Sequence, residues 1–311
     1  MSLLYLNWNY THICNFSCSH CYSRAPQYSE ELSFEQKEII ARKLIDLPVF
    51  SVGFGGGEPL IKNDFLKVVS ILSSGNVHTH FTTNGWGVDT AKAEEIRSSG
   101  INRVTVSFDS SISEVHDEIR GKNGSFESAK KAVSNLLSRK VETWLSITLS
   151  KINIREGEAL LSLAESLGVN GVNYKVIRPS GNASLLKDTL VPTPDDVCHF
   201  RSNVMSKSSV KSTMYGPEDN AGCSCGRTTL TIRPEGDVAF CPYSNITLGN
   251  LLEDDLVQLY QKAQAHVSSE CHGQNGAAWP LASKDLTFEQ KKLHEDKLLN
   301  SRFARSYGNS I

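Results

Sequence analysis

Three cysteines near the start of the chain have a spacing that suits an iron–sulfur cluster. Cys14, Cys18 and Cys21 are spaced CxxxCxxC directly after an apolar stretch. A [4Fe–4S] cluster has four irons to be ligated, so three thiolates leave one iron open to a small chelating molecule. Cys18 and Cys21 alone would also suit half of a zinc site or a redox dithiol. The third cysteine favours the cluster over both alternatives.

A run of glycines follows the second predicted strand. Gly55, Gly56 and Gly57 precede Glu58 and Pro59. Glycines lack the Cβ atoms that would keep a ligand away from the backbone, and a proline stiffens the exit from the turn. Glu58 would offer a carboxylate to a donor such as an ammonium group. The alternative is a tight strand-to-helix turn with a solvated glutamate.

Composition and charge are those of an ordinary globular enzyme. The chain has 311 residues, 39% hydrophobic content and a net charge of −2, with both signs interspersed. It therefore lacks the basic footprint of a nucleic-acid binder. It also shows no secretion signal and no apolar run of membrane-spanning length, which predicts a cytoplasmic protein without a membrane partner. Eight cysteines in such a chain favour metal ligation over disulfides.

Strand-like and helix-like stretches alternate over the first 180 residues, which is typical of β-then-α units around a parallel sheet. The predicted strands are 3–11, 50–55, 77–83, 103–108, 142–149 and 171–177. The predicted helices are 34–47, opened by a Ser33/Gln36 capping box, then 64–74, 90–99, 126–139 and 155–167. Such units can close partly into a barrel whose working face lies at the carboxyl ends of the strands. The predicted fold is α/β, a partial (β/α)6 TIM-like barrel.

The alternation ends after residue 179. A short helix is predicted at 195–206, and two short strands at 228–232 and 237–241 flank a Pro-Glu-Gly-Asp hairpin signal. A helix at 254–266 and a charged, helix-prone stretch at 284–305 follow. We predict a barrel at 1–185, a bridging region at 186–222, a small hairpin-plus-helix cluster domain at 223–275 and a helical tail at 276–311.

The CxxxCxxC and GGEP motifs together resemble those of the radical S-adenosylmethionine (SAM) superfamily. The resemblance implies that the three cysteines hold a [4Fe–4S] cluster whose open iron chelates the methionine part of SAM, and that the GGEP residues bind its amine. The family usually has a larger aromatic residue before the third cysteine. This chain has His20 there, whose ring can still pack near the adenine. Tyr22, next to the third cysteine, is assigned to the cofactor site as well.

Further residues fit the resemblance in order along the chain. Asn84 lies in a Thr-Asn-Gly turn after strand three, and Ser107 and Asp109 end strand four, where relatives place a Ser and an Asp near the ribose and carboxylate of SAM. Arg120 lies in a segment that resembles hDxxRgxxGsF and would hold the SAM carboxylate or a substrate anion. From the residues alone, the alternatives are strand-end capping for Ser107 and Asp109 and a surface ion pair for Arg120.

The C-terminal third resembles the SPASM and twitch extensions of this family. Cys225, Gly236 and Cys241 reproduce the spacing that opens these extensions, and residues 248–250 resemble the "lGN" segment that follows. A hairpin with a thiolate at each end can grip one face of a cluster. The full SPASM cysteine run is absent from the sequence, so we expect one auxiliary [4Fe–4S] cluster.

Three further cysteines are candidates for the two remaining ligand positions of this cluster. Cys223 and Cys271 would complete the four ligands of a closed site. Cys198 lies in a predicted helix, where a buried inert thiol is the ordinary interpretation. The alternatives are that Cys198 replaces Cys223 as a ligand, or that the spare one of these two is catalytic and donates a hydrogen atom to a substrate radical.

The resemblance implies reductive cleavage of SAM to a 5′-deoxyadenosyl radical that abstracts a hydrogen atom from the substrate, with electrons from a donor such as flavodoxin or ferredoxin. We expect a ribosomally made peptide as the substrate. Strand one begins at once, so a leader-binding function would be supplied by a separate protein. One alternative is dehydrogenation, decarboxylation or epimerisation of a small biosynthetic intermediate such as a sugar or cofactor precursor. The other is a non-catalytic iron–sulfur or zinc sensor.

Overall fold

A single sheet of ten strands forms the centre of the protein, in a computed structural model that describes residues 4–23, 30–47, 49–215, 224–244 and 246–270. The strands are β1 (Leu4–Thr11), β2 (Val49–Gly56), β3 (His78–Thr83), β4 (Arg103–Ser107), β5 (Thr143–Leu149), β6 (Gly171–Val176), β7 (Lys211–Tyr215), β8 (Thr229–Ile232), β9 (Asp237–Ala239) and β10 (Gly249–Asn250). Their order across the sheet is β10-β9-β8-β1-β2-β3-β4-β5-β6-β7. From β8 to β7 all neighbours are parallel, whereas β9 and β10 pair antiparallel.

Helices cover the outer face of the parallel strands. They are α1 (Phe34–Ile45), α2 (Phe65–Ser74), α3 (Thr90–Ser98), α4 (Ser113–Arg120), α5 (Ser125–Ser138), α6 (Gly157–Leu167), α7 (Lys187–Leu190), α8 (Pro194–Asn203) and α9 (Leu256–Glu270). The predicted capping box at Ser33 and Gln36 is confirmed, with both of its hydrogen bonds present. The predicted α/β barrel fold is also confirmed. Strands β1 to β6 lie side by side in the sheet, and each is followed in the chain by at least one helix.

Side chains alternate between the two faces of each strand, as the two-residue period of a strand requires. On β1, Trp8 and Tyr10 are fully buried under the helices and pack with Phe54 of β2 at ring-centroid distances of 5.6 and 6.0 Å. The opposite face is mostly polar. Its residues lie side by side in the register of neighbouring strands, as Ser51 of β2 does with His78 of β3. The core therefore lies between the sheet and the helices, and mostly polar side chains line the inner face of the sheet, which faces the lumen of the barrel.

Two strands have positions that the sequence did not predict. β7 lies within the region predicted as a bridge and pairs parallel with β6. β8 begins the predicted hairpin and pairs parallel with β1, for example Tyr5 with Thr229. The hairpin is therefore a direct continuation of the barrel sheet. The predicted helix-prone stretch at 284–305 lies outside the described residues.

Helix α4 was also missed. Its N-cap residue, Ile112, makes no side-chain capping bond, and its buried face carries His116 and Arg120 where an apolar stripe is normal. Neither the start nor the period of the helix is therefore visible in the sequence. Among the described helices, none combines the length and the apolar character needed to cross a bilayer.

Candidate active site

The three cysteines lie on the loop that follows β1, at the carboxyl edge of the sheet. Cys14 is exposed, Cys18 is buried and Cys21 is half-buried. Burial is the largest cause of the raised pKa of Cys18, about 11, to which a charge on Cys21 also contributes while Arg120 acts to lower it. The pKa of Cys14 is raised mainly by desolvation, and a charge on Cys21 contributes there too. The three thiols therefore lie within electrostatic range of one another. Within the described ranges, no three His, Cys, Asp or Glu side chains converge on a position for a single metal ion.

Two of the glycines let this loop lie directly against the end of β2. The Gly57 amide donates to the carbonyl oxygen of Thr11 at 2.6 Å, and a Cβ on Gly57 would lie 2.0 Å from the carbonyl oxygen of Ile13. Gly56 has a φ of 103°, and a Cβ there would lie 2.7 Å from the Thr11 carbonyl oxygen. These glycines thus make room for protein backbone. Beside Gly55 the space is open, since a Cβ on this residue would meet no atom closer than 4.0 Å, so a ligand can approach there.

Glu58 is buried and joins the ends of β2 and β3. Its Oε1 accepts from Thr83 Oγ1 at 2.9 Å and from the Leu60 amide at 3.2 Å, and its Oε2 accepts from the Asn84 amide at 2.7 Å. Burial raises the pKa of Glu58, whereas these donors act to lower it. The alternative of a solvated glutamate is wrong. A carboxylate has about four acceptor sites, so one remains for an ammonium donor. Pro59 begins the short 3₁₀ turn that Glu58 caps.

Asn84 supports the cysteine loop. Its Nδ2 donates to Asn15 Oδ1 at 2.8 Å, and its Oδ1 accepts from the Trp86 amide at 2.9 Å. The ring of Trp86 in turn meets that of Phe16 at 5.9 Å between centroids. The predicted cofactor residue Asn84 thus lies at the site, with its amide group engaged by the loop between the first two cysteines.

Asp109 and Arg120 form a buried ion pair beside the second cysteine. Arg120 Nε lies 2.8 Å from Asp109 Oδ2, and Arg120 Nη1 donates to Cys18 Sγ at 3.8 Å. The other carboxylate oxygen of Asp109 accepts from the Thr148 amide at 2.9 Å. The interpretation of Arg120 as a surface ion pair is therefore wrong. Its positive charge favours the thiolate form of Cys18, which is the form that ligates iron.

The charge of Asp109 is sustained by its surroundings. Burial disfavours the ionised carboxylate. The pKa of Asp109 is nevertheless below its usual range, because of the charges of Arg120, His20 and His116 and the hydrogen bond from the Thr148 amide. His20 Nε2 lies 3.6 Å from Asp109 Oδ2, so the predicted adenine-side residue lies beside this carboxylate. Ser107 is buried two residues earlier, at the end of β4.

Sequence reasoning missed the residues that hold the loop from the far side. The Asn182 amide donates to the Cys21 carbonyl oxygen at 2.8 Å, and Asn182 Nδ2 donates to the Cys18 carbonyl oxygen at 2.9 Å. Gly121 has a φ of 62°, and a Cβ on it would lie 2.5 Å from the Ser17 carbonyl oxygen. The sequence signals these contacts only by a glycine, Gly121 after α4 and Gly181 before Asn182. A glycine at such a position usually indicates no more than a turn.

Tyr22 connects the cysteine loop to the C-terminal hairpin. Its hydroxyl donates to Asn9 Oδ1 at 3.4 Å, and its ring meets that of Tyr243 edge-on at 5.2 Å. Burial raises the pKa of Tyr22, and charges on Tyr243, Cys21 and Cys241 raise it further. Tyr22 therefore lies between the two predicted cluster regions.

The hairpin carries one predicted ligand near each of its open ends. Cys225 precedes β8 and Cys241 follows β9, and both thiols are half-buried. Gly236 has a φ of 89° in the turn, and Asn250 Nδ2 donates to the carbonyl oxygen of Glu235 there at 3.1 Å. The predicted hairpin and the structural use of the "lGN" segment are thus visible in the structure.

Of the remaining predicted ligands and catalytic cysteines, the structure describes only Cys198. Cys223 and Cys271 lie outside the described residues. Cys198 is exposed on α8, whose buried Val197 and Phe200 face the sheet. The expectation of a buried thiol at Cys198 is therefore wrong. Within the described residues, no group of three potential metal ligands includes Cys198.

Comparison with protein families decides what this arrangement belongs to. The model of the radical SAM superfamily matches residues 8–164, half of the chain, which include the cysteine loop, Glu58 and the Asp109–Arg120 pair. The chain belongs to the radical SAM superfamily. The SPASM model, described as an iron–sulfur cluster-binding domain, matches residues 223–277. This radical SAM enzyme thus has a SPASM extension, and its cofactors are SAM and [4Fe–4S] clusters.

Similar proteins include enzymes with different substrates. The chain is 30% identical to "Mycofactocin maturase MftC" of Mycolicibacterium smegmatis over 266 residues, which cover 80% of this chain and 67% of MftC. It is 22% identical to "AdoMet-dependent heme synthase" of Oleidesulfovibrio alaskensis over 287 residues, covering 83% and 74%.

Solved structures share the fold. Streptococcus suis SuiB bound to its precursor peptide SuiA has a TM-score of 0.68 at 16% identity, with 83% of this chain and 64% of SuiB covered. The chain thus spans less than two thirds of the length of SuiB. Native anSMEcpe with bound AdoMet has a TM-score of 0.72 at 16% identity, with each chain covered completely.

The residues of this radical SAM protein fit its cofactors. Three thiols share one loop, an arginine lies beside the second of them, and the space beside Gly55 is open. Glu58 retains one acceptor site at the same edge of the sheet. These features are the ones that a thiolate-bound cluster and an amine-bearing cofactor would require.

Proposed function

We propose that this radical SAM enzyme modifies a ribosomally made peptide. The observation that carries the proposal is the similarity to MftC, which is named as a maturase and which matches across both the barrel and the hairpin region. SuiB, which shares this fold over 83% of this chain, was solved bound to its precursor peptide SuiA, and this supports a peptide substrate. When bound, the cluster and SAM together supply a 5′-deoxyadenosyl radical that removes a hydrogen atom from the substrate.

The residues of the chain hold the cofactors and shape the space around them. Cys14, Cys18 and Cys21 would ligate the SAM-binding cluster, and Arg120 stabilises the thiolate form of Cys18. Glu58 would accept from the SAM amine. The inner face of the barrel then orients the substrate and excludes water, which favours hydrogen-atom transfer over side reactions.

We also propose an auxiliary cluster, an electron donor and a separate leader-binding protein. Cys225 and Cys241, with Cys223 and Cys271, would hold one auxiliary [4Fe–4S] cluster. Flavodoxin or ferredoxin would supply electrons, and a separate protein would bind the leader of the peptide. We retain the segment bounds 1–185, 186–222, 223–275 and 276–311 as part of this proposal, together with a cytoplasmic location.

A second candidate function is the tailoring of a small biosynthetic intermediate. It is favoured by the similarity to AdoMet-dependent heme synthase over 83% of this chain. Its substrate would be a cofactor precursor of the tetrapyrrole class.

One experiment separates the two candidates. Anaerobically reconstituted, reduced protein is incubated with SAM and either the peptide encoded by a neighbouring short gene or an iron tetrapyrrole. 5′-Deoxyadenosine is quantified, and the substrate is analysed by mass spectrometry. We expect 5′-deoxyadenosine and a mass change with the peptide alone, and neither with the Cys18→Ala variant. A mass change of the tetrapyrrole alone would contradict the peptide proposal.

A further inference from the structure

The lumen of the barrel contains a lysine for which the described part of the chain offers no ion-pair partner. Lys175 is the exposed residue in a strand that is otherwise buried, β6. Its neighbour Tyr174 packs against Phe200 of α8 at 4.9 Å between ring centroids, on the helix side of the sheet. Because successive side chains of a strand point to opposite faces, Lys175 faces the lumen.

The position of Lys175 is level with the cofactor end of the site. It lies opposite Thr148 in the register of β5 and β6, and the Thr148 amide donates to Asp109. Partial enclosure by the surrounding protein is the main cause that lowers the pKa of Lys175. Among the charges, that of Asp109 acts most strongly and raises this pKa, whereas those of Arg120 and Arg103 lower it. The ammonium group is thus within electrostatic range of the ion pair beside the second cysteine.

Within the described residues, no carboxylate forms an ion pair with this ammonium group. The charge of Asp109 acts on Lys175, but Asp109 Oδ2 lies 2.8 Å from Arg120 Nε, and no ion pair of the described residues joins Asp109 to Lys175. The inner-face positions of the eight parallel strands carry Asn, Ser, Thr, Gly, His, aromatic and basic residues and no Asp or Glu. A second cation, Arg103, lies on the same face, above the ring of Trp144 at 4.8 Å. The inner-face strand positions themselves therefore carry cationic and neutral side chains, and the carboxylates of Glu142, before β5, and Asp109, after β4, flank them.

We propose that Lys175 is a specificity-determining residue that binds a carboxylate of the peptide substrate inside the lumen. The carboxylate is either an Asp or Glu side chain or the C-terminal group of the peptide, since both present the same chemistry to an ammonium donor. This inference rests on the proposed peptide function and names the class of peptide that the lumen accepts.

The test measures peptide binding, so it does not depend on turnover. Holoenzyme with SAM is dialysed against random-sequence fluorescent peptide libraries in three forms. One has neither Asp nor Glu and an amidated C-terminus, one has a free C-terminal carboxylate, and one is amidated but contains Glu. We expect at least one carboxylate library to be retained at least about tenfold better than the neutral one, a preference that Lys175→Arg keeps and Lys175→Met loses. Which library is retained tells the two sources of the carboxylate apart.

Controls separate this inference from its alternatives. Lys131→Met, at an exposed position of α5, should keep the preference. The proposal is overturned if wild type shows no preference, if Lys175→Met retains it, or if Lys175→Met weakens SAM binding in parallel, which would assign the lysine to the cofactor. Absence of 5′-deoxyadenosine with every substrate would instead contradict the proposed function, and the binding result would still be readable.

Discussion

Gly57 lies so close to Ile13 that a methyl group on the glycine would stand 2.0 Å from the Ile13 carbonyl oxygen. The end of β2 and the cysteine loop are therefore packed backbone to backbone. This contact fixes the loop relative to the sheet before any cofactor is bound.

Gly57→Ala should displace the loop and lower the iron content at the SAM-site cluster. The new methyl group would clash with the Ile13 carbonyl oxygen, which cannot shift without moving the backbone of the loop. The measurement is iron and sulfide content after anaerobic reconstitution. Gly55→Ala is the matched control, since a Cβ there meets nothing closer than 4.0 Å. Equal iron content in the two variants would show that the packing does not position the loop.

Asp109→Asn should destabilise the protein by about 3 kcal/mol, because it leaves the buried Arg120 charge without its partner. Urea unfolding measures this loss. The control is Glu94→Gln, which breaks the exposed pair with Arg97 and should cost less than about 1 kcal/mol. A loss at Asp109 no larger than that of the control would mean that the pair contributes nothing to folding.

Asn182→Asp should loosen the cysteine loop, since a carboxylate oxygen would replace the Nδ2 donor that faces the Cys18 carbonyl oxygen. We expect faster loss of cluster absorbance under oxygen and a destabilisation of about 1 to 3 kcal/mol. Ser184→Ala, which removes one local bond to Gly181 in the same turn, should leave the cluster intact. An unchanged cluster lifetime in Asn182→Asp would show that this residue does not hold the loop.

Much of the fold was predictable because its signals are local. Strand and helix periodicity placed the six β-then-α units, and the cysteine and glycine motifs placed the loop and its support. The roles of Asn182 and Gly121 were not predictable, because they depend on loops that meet only after β6 and α4 are folded. The pairing of β8 with β1 joins residues more than 200 positions apart, so no local pattern records it.

Acid should destabilise the fold through His80. Burial, followed by the charges of Arg103, His78 and Lys175, lowers the pKa of His80 from 6.5 to about 3. Because the unfolded chain binds a proton near pH 6.5 and the folded one does not, stability is lost as the pH falls from 6.5 toward 3, by up to about 1.4 kcal/mol per pH unit. Above pH 6.5 this group has no effect on stability.

His80→Asn should reduce the change in the free energy of unfolding between about pH 6.5 and pH 5.5, as measured by urea unfolding. His199→Asn, at an exposed position of α8, should leave the slope as it is. Identical slopes in wild type and His80→Asn would mean that the buried ring does not resist protonation.

Cys241→Ala should remove the auxiliary cluster, a loss of about four irons per chain, and leave the SAM-site cluster in place. Iron content and 5′-deoxyadenosine formation measure the two effects separately. Cys198→Ala should change neither, since that thiol is exposed on α8. Full iron content in Cys241→Ala would contradict an auxiliary site on the hairpin.

The central claim is that the loop of Cys14, Cys18 and Cys21 holds a cluster with one iron open to SAM. Electron paramagnetic resonance of the reduced Cys241→Ala protein tests it most directly, because only the SAM-site cluster should remain there. We predict a reduced [4Fe–4S] signal that changes when SAM is added and that Cys18→Ala in the same background abolishes. A signal that SAM leaves unchanged, or that survives without Cys18, would contradict the claim.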